Sequence, residues 1–131
     1  MTFLSKYQPQ LLSLLRIVSG LLFLEHGTVK LLHFPPMQMP AVPDKFVPVI
    51  MAAAVIELVG GALVTVGLFT RWAAFIMSGE MAFAYFLGHA PKSFYPVVNG
   101  GGEAILFCFV FLYIAASGAG AWSADAAMKR A

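Results

Sequence analysis

Four stretches of the chain are too long and too apolar for a small water-soluble domain. They cover about residues 10–32, 46–69, 72–88 and 101–116. A helix needs roughly 20 mainly apolar residues to cross a membrane, and it satisfies its backbone hydrogen bonds internally. Only 11% of the 131 residues are charged, against about 25% in soluble domains. The sequence therefore predicts an all-α polytopic membrane protein, a bundle of four transmembrane helices that forms one domain over residues 1–131 in a lipid bilayer.

The connections between the spans predict the topology. Two proline-containing loops join the first span to the second and the third to the fourth, whereas little more than Thr70 and Arg71 joins the second to the third. Both loops therefore share one side, and the termini share the other. The termini side carries Lys6, Arg71, Lys129 and Arg130; the loop side carries Lys45 and Lys92, with Lys30 near it. Because Lys and Arg favour the cytoplasmic side, both termini are predicted to be cytoplasmic.

Composition also excludes several functional classes. The formal net charge is only +2 and no basic run is long enough to follow a phosphate backbone, so nucleic acid is not expected as a partner. The single cysteine, Cys108, excludes an internal disulfide, a CxxC pair and a cysteine-based zinc site. The sequence has no nucleophile triad, phosphate-binding loop or HExxH motif. No metal site is predicted, and a redox centre would have to come from elsewhere.

Four ionisable residues interrupt the spans: Arg16, Glu57, Glu80 and Glu103. An Asp, Lys or Arg at a helix centre costs about 2.5–3.5 kcal/mol on insertion scales. Such residues therefore face a protein interior and are paired, protonated or hydrated. The Phe-rich stretches of the third and fourth spans, in contrast, are expected to contact lipid.

Helical geometry predicts which polar side chains share a face. At about 100° per residue, one stripe of the first span holds Arg16, Gly20, Phe23, Gly27 and Lys30. His26 lies roughly 40° from Lys30, whereas Glu25 points almost opposite to Arg16. On the second span, Ala53, Glu57 and Gly61 recur every four residues, as expected where two membrane helices approach closely.

The outer, loop-side half of the spans collects polar residues from three helices. They are His26, Lys30, His89, Asn99 and Glu103. Together with Arg16, Glu57 and Glu80 they form the candidate intramembrane polar site. The alternative is structural: buried charges, such as Arg16 paired with Glu57 or Glu80, would only fix the register of the helices.

The residues of the first two spans resemble the signature of the DoxX family. The resemblance rests on ArgIleValSerGlyLeuLeuPheLeuGluHisGlyThrValLysLeu, GluLeuValGlyGlyAlaLeuValThrValGlyLeuPheThrArg, a histidine closing the third span and AsnGlyGlyGlyGlu before the fourth. It carries the family's polar positions onto Arg16, His26, Gly27, Lys30, Glu57, Arg71, His89 and Glu103. Glu25 and Glu80 do not match the pattern. The resemblance implies four helices, a bacterial inner membrane and, for some members, association with thiol, sulfur or quinone redox systems.

Three functions follow as hypotheses. The first is a membrane subunit or partner of a thiol, sulfur or quinone redox system that binds a quinone or a thiol-type substrate between its helices. In this hypothesis the partners are redox proteins and a quinone is the candidate cofactor. In it Glu57 or Glu80 passes protons, and His26 or His89 donates to a quinone carbonyl. The second is a non-enzymatic scaffold or assembly factor. The third is a small-solute or ion transporter, which would need a homo-oligomer because four short helices seldom enclose a pore.

Overall fold

A computed structural model describes residues 1–129, which are largely helical and contain no strand. The α-helices are α1 (Gln8–Leu32), α2 (Val47–Val66), α3 (Thr70–Ala84), α4 (Pro96–Asn99), α5 (Gly102–Ser117) and α6 (Ala124–Ala127). A π-helical turn, Tyr85–His89, continues α3. Arg130, which was counted in the charge asymmetry, lies outside the described residues.

Helices α1 and α2 pack with their backbones in contact. A Cβ atom at Gly27 would lie 2.6 Å from the Leu58 amide nitrogen, and one at Gly61 would lie 2.8 Å from the Leu24 Cα. Any larger side chain at either position would push the helices apart. The small-residue stripe predicted on the second span thus packs against the Gly27 face of α1 inside the chain, and this contact brings the polar residues of α1 close to Glu57.

The short turn between α2 and α3 lies earlier than predicted. Helix α2 ends at Val66 because Gly67 adopts φ +75°, and Phe69 also has positive φ. Thr70, expected in the turn, is instead the first residue of α3. The turn is fixed from outside, because the Asp125 carboxylate accepts hydrogen bonds from the Phe69 and Thr70 amides, both at 3.0 Å.

An aromatic cluster joins α1 to α5 and forms part of the core. The Phe23 ring lies edge-on to Phe107 and Phe111, with centroids 5.4 and 5.0 Å away. All three side chains are buried. The expectation that phenylalanines of the fourth span contact lipid is therefore wrong for Phe107 and Phe111. It fits Phe109, which faces outward with 64% exposure.

The outer surface of the helices is apolar. Within residues 1–129, Thr2–Leu32 and Asp44–Val66 are the two helical segments long and apolar enough to cross a membrane. Only 33% and 28% of their most apolar 18-residue stretches are buried, unlike the core helices of a soluble protein. Leu14, Val18 and Leu21, spaced along one face of α1, are each about half exposed. Soluble monomers rarely expose such continuous apolar faces, so these faces suit lipid.

Candidate functional site

Lys30 and Glu57 form a buried ion pair between α1 and α2. The Lys30 Nζ lies 2.7 Å from both carboxylate oxygens of Glu57. The Glu57 side chain is 2% exposed and that of Lys30 is 20% exposed. The close packing at Gly27, one turn before Lys30, is what allows the ammonium group to reach the middle of α2. This pair satisfies the requirement that a buried charge has a partner.

Glu80 of α3 adds a second carboxyl group beside this pair. It interacts electrostatically with both Glu57 and Lys30. Its Oε2 atom is fully buried and makes no hydrogen bond to any atom of residues 1–129. Three helices therefore contribute one ionisable side chain each to a single buried group.

His26 and Glu103 connect α1 to α5 at the same end of the helices. The His26 Nε2 lies 3.0 Å from Glu103 Oε1, and the two side chains are 44% and 67% exposed. The imidazole also contacts the edge of Phe107, with centroids 6.1 Å apart. His26 precedes Lys30 by four residues, which places the two side chains on neighbouring turns of one helix face. We call His26, Lys30, Glu57, Glu80 and Glu103 the polar cluster; each of the four long helices contributes to it.

His89 and Asn99 organise the loop that leads into α5. The His89 Nδ1 lies 3.0 Å from the Asn99 carbonyl oxygen, so Nδ1 must carry the hydrogen and donate it. The Asn99 amide donates to the Tyr85 hydroxyl and the Ser93 carbonyl. Its Oδ1 accepts from the Gly101 amide at 2.7 Å. Because Asn99 is buried and bonded at both ends of its amide, its side chain holds the loop in place.

Seven of the eight predicted site residues lie in two groups, the five residues of the polar cluster and the pair of His89 and Asn99. Asn99 bonds both His89 and Gly101, and Gly101 immediately precedes α5, whose first turn carries Glu103. Glu103 in turn pairs with His26, next to Lys30 and the two remaining carboxyl groups. His89 itself makes no hydrogen bond, ion pair or ring contact with the polar cluster within the described part of the chain. His89 therefore lies outside the polar cluster and is linked to α5 only through Asn99 and Gly101.

Arg16 lies apart from the other seven. It precedes Lys30 by 14 residues on α1, or about 21 Å along the helix axis. The fully buried guanidinium donates to the carbonyl oxygens of Ala119 and Trp122, at 2.5 and 2.7 Å. The expected pairing of Arg16 with Glu57 or Glu80 is therefore wrong. The sequence did not distinguish the second span from the third as the partner of Arg16. Neither is its partner, because Arg16 binds the C-terminal segment, residues 118–129.

Sequence reasoning also missed residues that shape these sites. Asp125 caps α3 and lies within electrostatic range of Arg16. Tyr85 bonds Asn99 and stacks on His89 with centroids 6.3 Å apart. Tyr85 and His89 are four residues apart, so helical spacing could have identified this contact. Asp125 carried no such signal, because it follows the last predicted span.

Comparison with known proteins identifies the family of the chain. A protein of Haemophilus influenzae described as an uncharacterized protein is 48% identical over 128 residues, which cover 93% of this chain and 93% of that protein. No solved structure matches the chain. The DoxX family profile matches residues 11–90, which include His26, Lys30, Glu57, Glu80 and His89. The chain belongs to the DoxX family.

Proposed function

We propose that all four long helices cross a bacterial inner membrane, with both termini in the cytoplasm and residues 1–131 forming one DoxX domain. Helix α3 and its π-helical continuation together span 20 residues, Thr70–Ala84 and Tyr85–His89, long enough to cross the hydrocarbon core. Helix α5 is shorter, but it is apolar and exposes Leu106 and Phe109. The asymmetry of Lys and Arg supports the orientation.

We further propose that the protein is a membrane subunit or partner of a thiol-, sulfur- or quinone-linked redox system, and that the polar cluster binds a quinone headgroup. The observation that carries this proposal is the convergence of ionisable side chains from all four long helices. Ionisable groups inside a membrane protein mark functional sites more often than chance placement would. A chain with one cysteine would supply the binding site while another component supplies the electrons.

The His26–Glu103 pair is suited to open for such a ligand. Both side chains are substantially exposed, so packing against neighbouring side chains does not enclose the pair. A quinone carbonyl could therefore replace Glu103 as the acceptor from His26 at little cost. Lys30, on the next turn, stays fixed by Glu57 and supplies a positive charge nearby.

Quinone titration of the protein in lipid nanodiscs tests this proposal. His26→Ala is expected to weaken binding at least tenfold, because the donor is lost. His89→Ala is expected to weaken it less, because His89 acts through Asn99. The matched control is Glu25→Gln, since Glu25 is exposed and adjacent to His26 in sequence; it should bind like the wild type. Equal binding by His26→Ala and the wild type would refute the site.

A non-enzymatic scaffold is the second candidate, and the Arg16 site favours it. Arg16 and Asp125 tie the C-terminal segment to α1 and to the start of α3, which is a purely architectural use of buried charge. If all charges act in this way, Glu57→Gln lowers the melting temperature but leaves quinone binding and the redox activity of membranes unchanged. A loss of quinone binding in a folded Glu57→Gln variant would exclude this candidate.

An oligomeric transporter receives less support. The stripe around Gly61, which offered an interface between copies, is buried against α1 of the same chain. An assembly around a pore would therefore need another surface.

A further inference from the structure

Glu57 and Glu80 occupy matching positions on the neighbouring helices α2 and α3. These helices are antiparallel neighbours, and a Cβ atom at Gly60 would lie 2.9 Å from the Met77 Sδ. Glu57 lies three residues before Gly60, and Glu80 lies three residues after Met77. The same register therefore places the two carboxyl groups one turn further along, where they act on each other electrostatically.

The available donors satisfy only one of these carboxyl groups. Lys30 Nζ donates to both oxygens of Glu57, so Glu57 is the ionised partner. The buried Oε2 of Glu80 receives no hydrogen bond from residues 1–129. An ionised carboxylate only accepts hydrogen bonds, and burying one without donors is costly. With both glutamates ionised, Lys30 would face two negative charges.

We propose that Glu80 carries a proton and donates it to Glu57, so that Lys30, Glu57 and Glu80 form a neutral buried group. A hydrogen bond between two carboxyl groups requires one such proton. The proton is exchangeable: Glu80 changes from carboxylic acid to carboxylate as the proton leaves, and Lys30 is then shared by two carboxylates. The charged groups that act on Glu80 are Glu57 and Lys30, and the His26–Glu103 pair lies one turn beyond Lys30.

This inference rests on the proposed function in one respect: a bound quinone that receives two electrons from the redox partner takes up two protons to become a quinol, and Glu80 would supply one of them while water supplies the other. Glu80 would then be the proton carrier for that site, while His26 positions the headgroup. The resemblance to the DoxX family did not indicate this role, since Glu80 is not one of the positions that it carries over.

Infrared difference spectroscopy in H₂O and D₂O tests the proposal on the full chain in nanodiscs at neutral pH. The wild type should show the carbonyl stretch of a protonated carboxylic acid, shifted by deuterium. Glu80→Gln should lack this band and still fold, because glutamine is neutral, similar in shape and able to donate to Glu57. Glu25→Gln should keep the band. Glu57→Gln should lose it, since Glu80 then ionises to pair with Lys30.

Three results would overturn the proposal. They are a wild type without the band, a Glu80→Gln variant that keeps it, or a Glu80→Gln variant that does not fold while Glu80→Asp does. The quinone titration and the infrared measurement test separate claims. If the band is present but no quinone binds, Glu80 is protonated as proposed and the proposed function is wrong. If quinone binds but the band is absent, the proposed function is supported and the protonation of Glu80 is wrong.

Discussion

Replacing Lys30 by methionine should destabilise the protein more than any other single loss of charge in the polar cluster. Met fills a volume similar to that of the lysine stem but leaves Glu57, which is 1% exposed, without its ammonium partner. Removing one member of a buried ion pair costs about 3–5 kcal/mol. Because 20% of the Lys30 side chain is exposed, we expect the lower end, about 3 kcal/mol. That corresponds to roughly a 100-fold change in the folding equilibrium.

The double variant Lys30→Met, Glu57→Met distinguishes the contribution of the ion pair to stability from that of side-chain packing. Replacing both members of a buried pair by apolar residues is often neutral or stabilising, but Glu80 then loses its carboxylate partner, so part of the loss should be recovered. The assay is unfolding by a denaturing detergent in mixed micelles, followed by tryptophan fluorescence. Lys92→Met is the control, since Lys92 is exposed and should change stability by less than about 0.5 kcal/mol. A Lys30→Met variant as stable as the wild type, or a double variant as unstable as the single one, would refute this reasoning.

Three further predictions follow from the same contacts. Gly27→Ala should lower stability by about 1–3 kcal/mol in the same assay, because its Cβ would clash with the backbone of α2. Gly79→Ala should not lower stability, because a Cβ there has no atom within 4 Å. Equal effects of the two substitutions would contradict the close packing of α1 and α2. Asp125→Ala should lower stability by about 1–3 kcal/mol, since two buried or partly buried amides lose their acceptor. Faster proteolysis of the C-terminal segment would reveal this loss, and unchanged proteolysis would contradict the role of Asp125 as a cap. His26→Ala should alter the melting temperature little, because its partner Glu103 is 67% exposed and is not left buried without a partner; a large decrease would show that the histidine is structural.

The sequence predicted the helices and the shared faces well because both depend on local spacing. The stripe through Gly20 and Gly27 faces the protein interior as expected, against α2, and Glu25, predicted to point away from Arg16, is exposed. The start of α3 was misplaced, since Gly67 and the Asp125 cap act together there. A cap that comes from 55 residues further along the chain leaves no trace in a local pattern.

Charge pairing was the part that one sequence could not determine. Periodicity showed that Arg16 and Glu57 each face an interior, but two residues can share an interior and still lie a helix length apart. The register of α1 against α2 decides that Lys30, not Arg16, reaches Glu57, and this register depends on backbone contacts at Gly27 and Gly61. The partner of Arg16 is a pair of backbone carbonyl groups, which no residue pattern identifies.

The most direct test of the proposed redox role is mass spectrometry of the molecules that co-purify with the protein in mild detergent, covering quinones, lipids and partner proteins. We predict a quinone or a redox partner in stoichiometric amount with the wild type and with Glu25→Gln, and a strongly reduced amount with His26→Ala. Bulk lipid alone in all three samples would contradict the redox-subunit proposal and favour the scaffold.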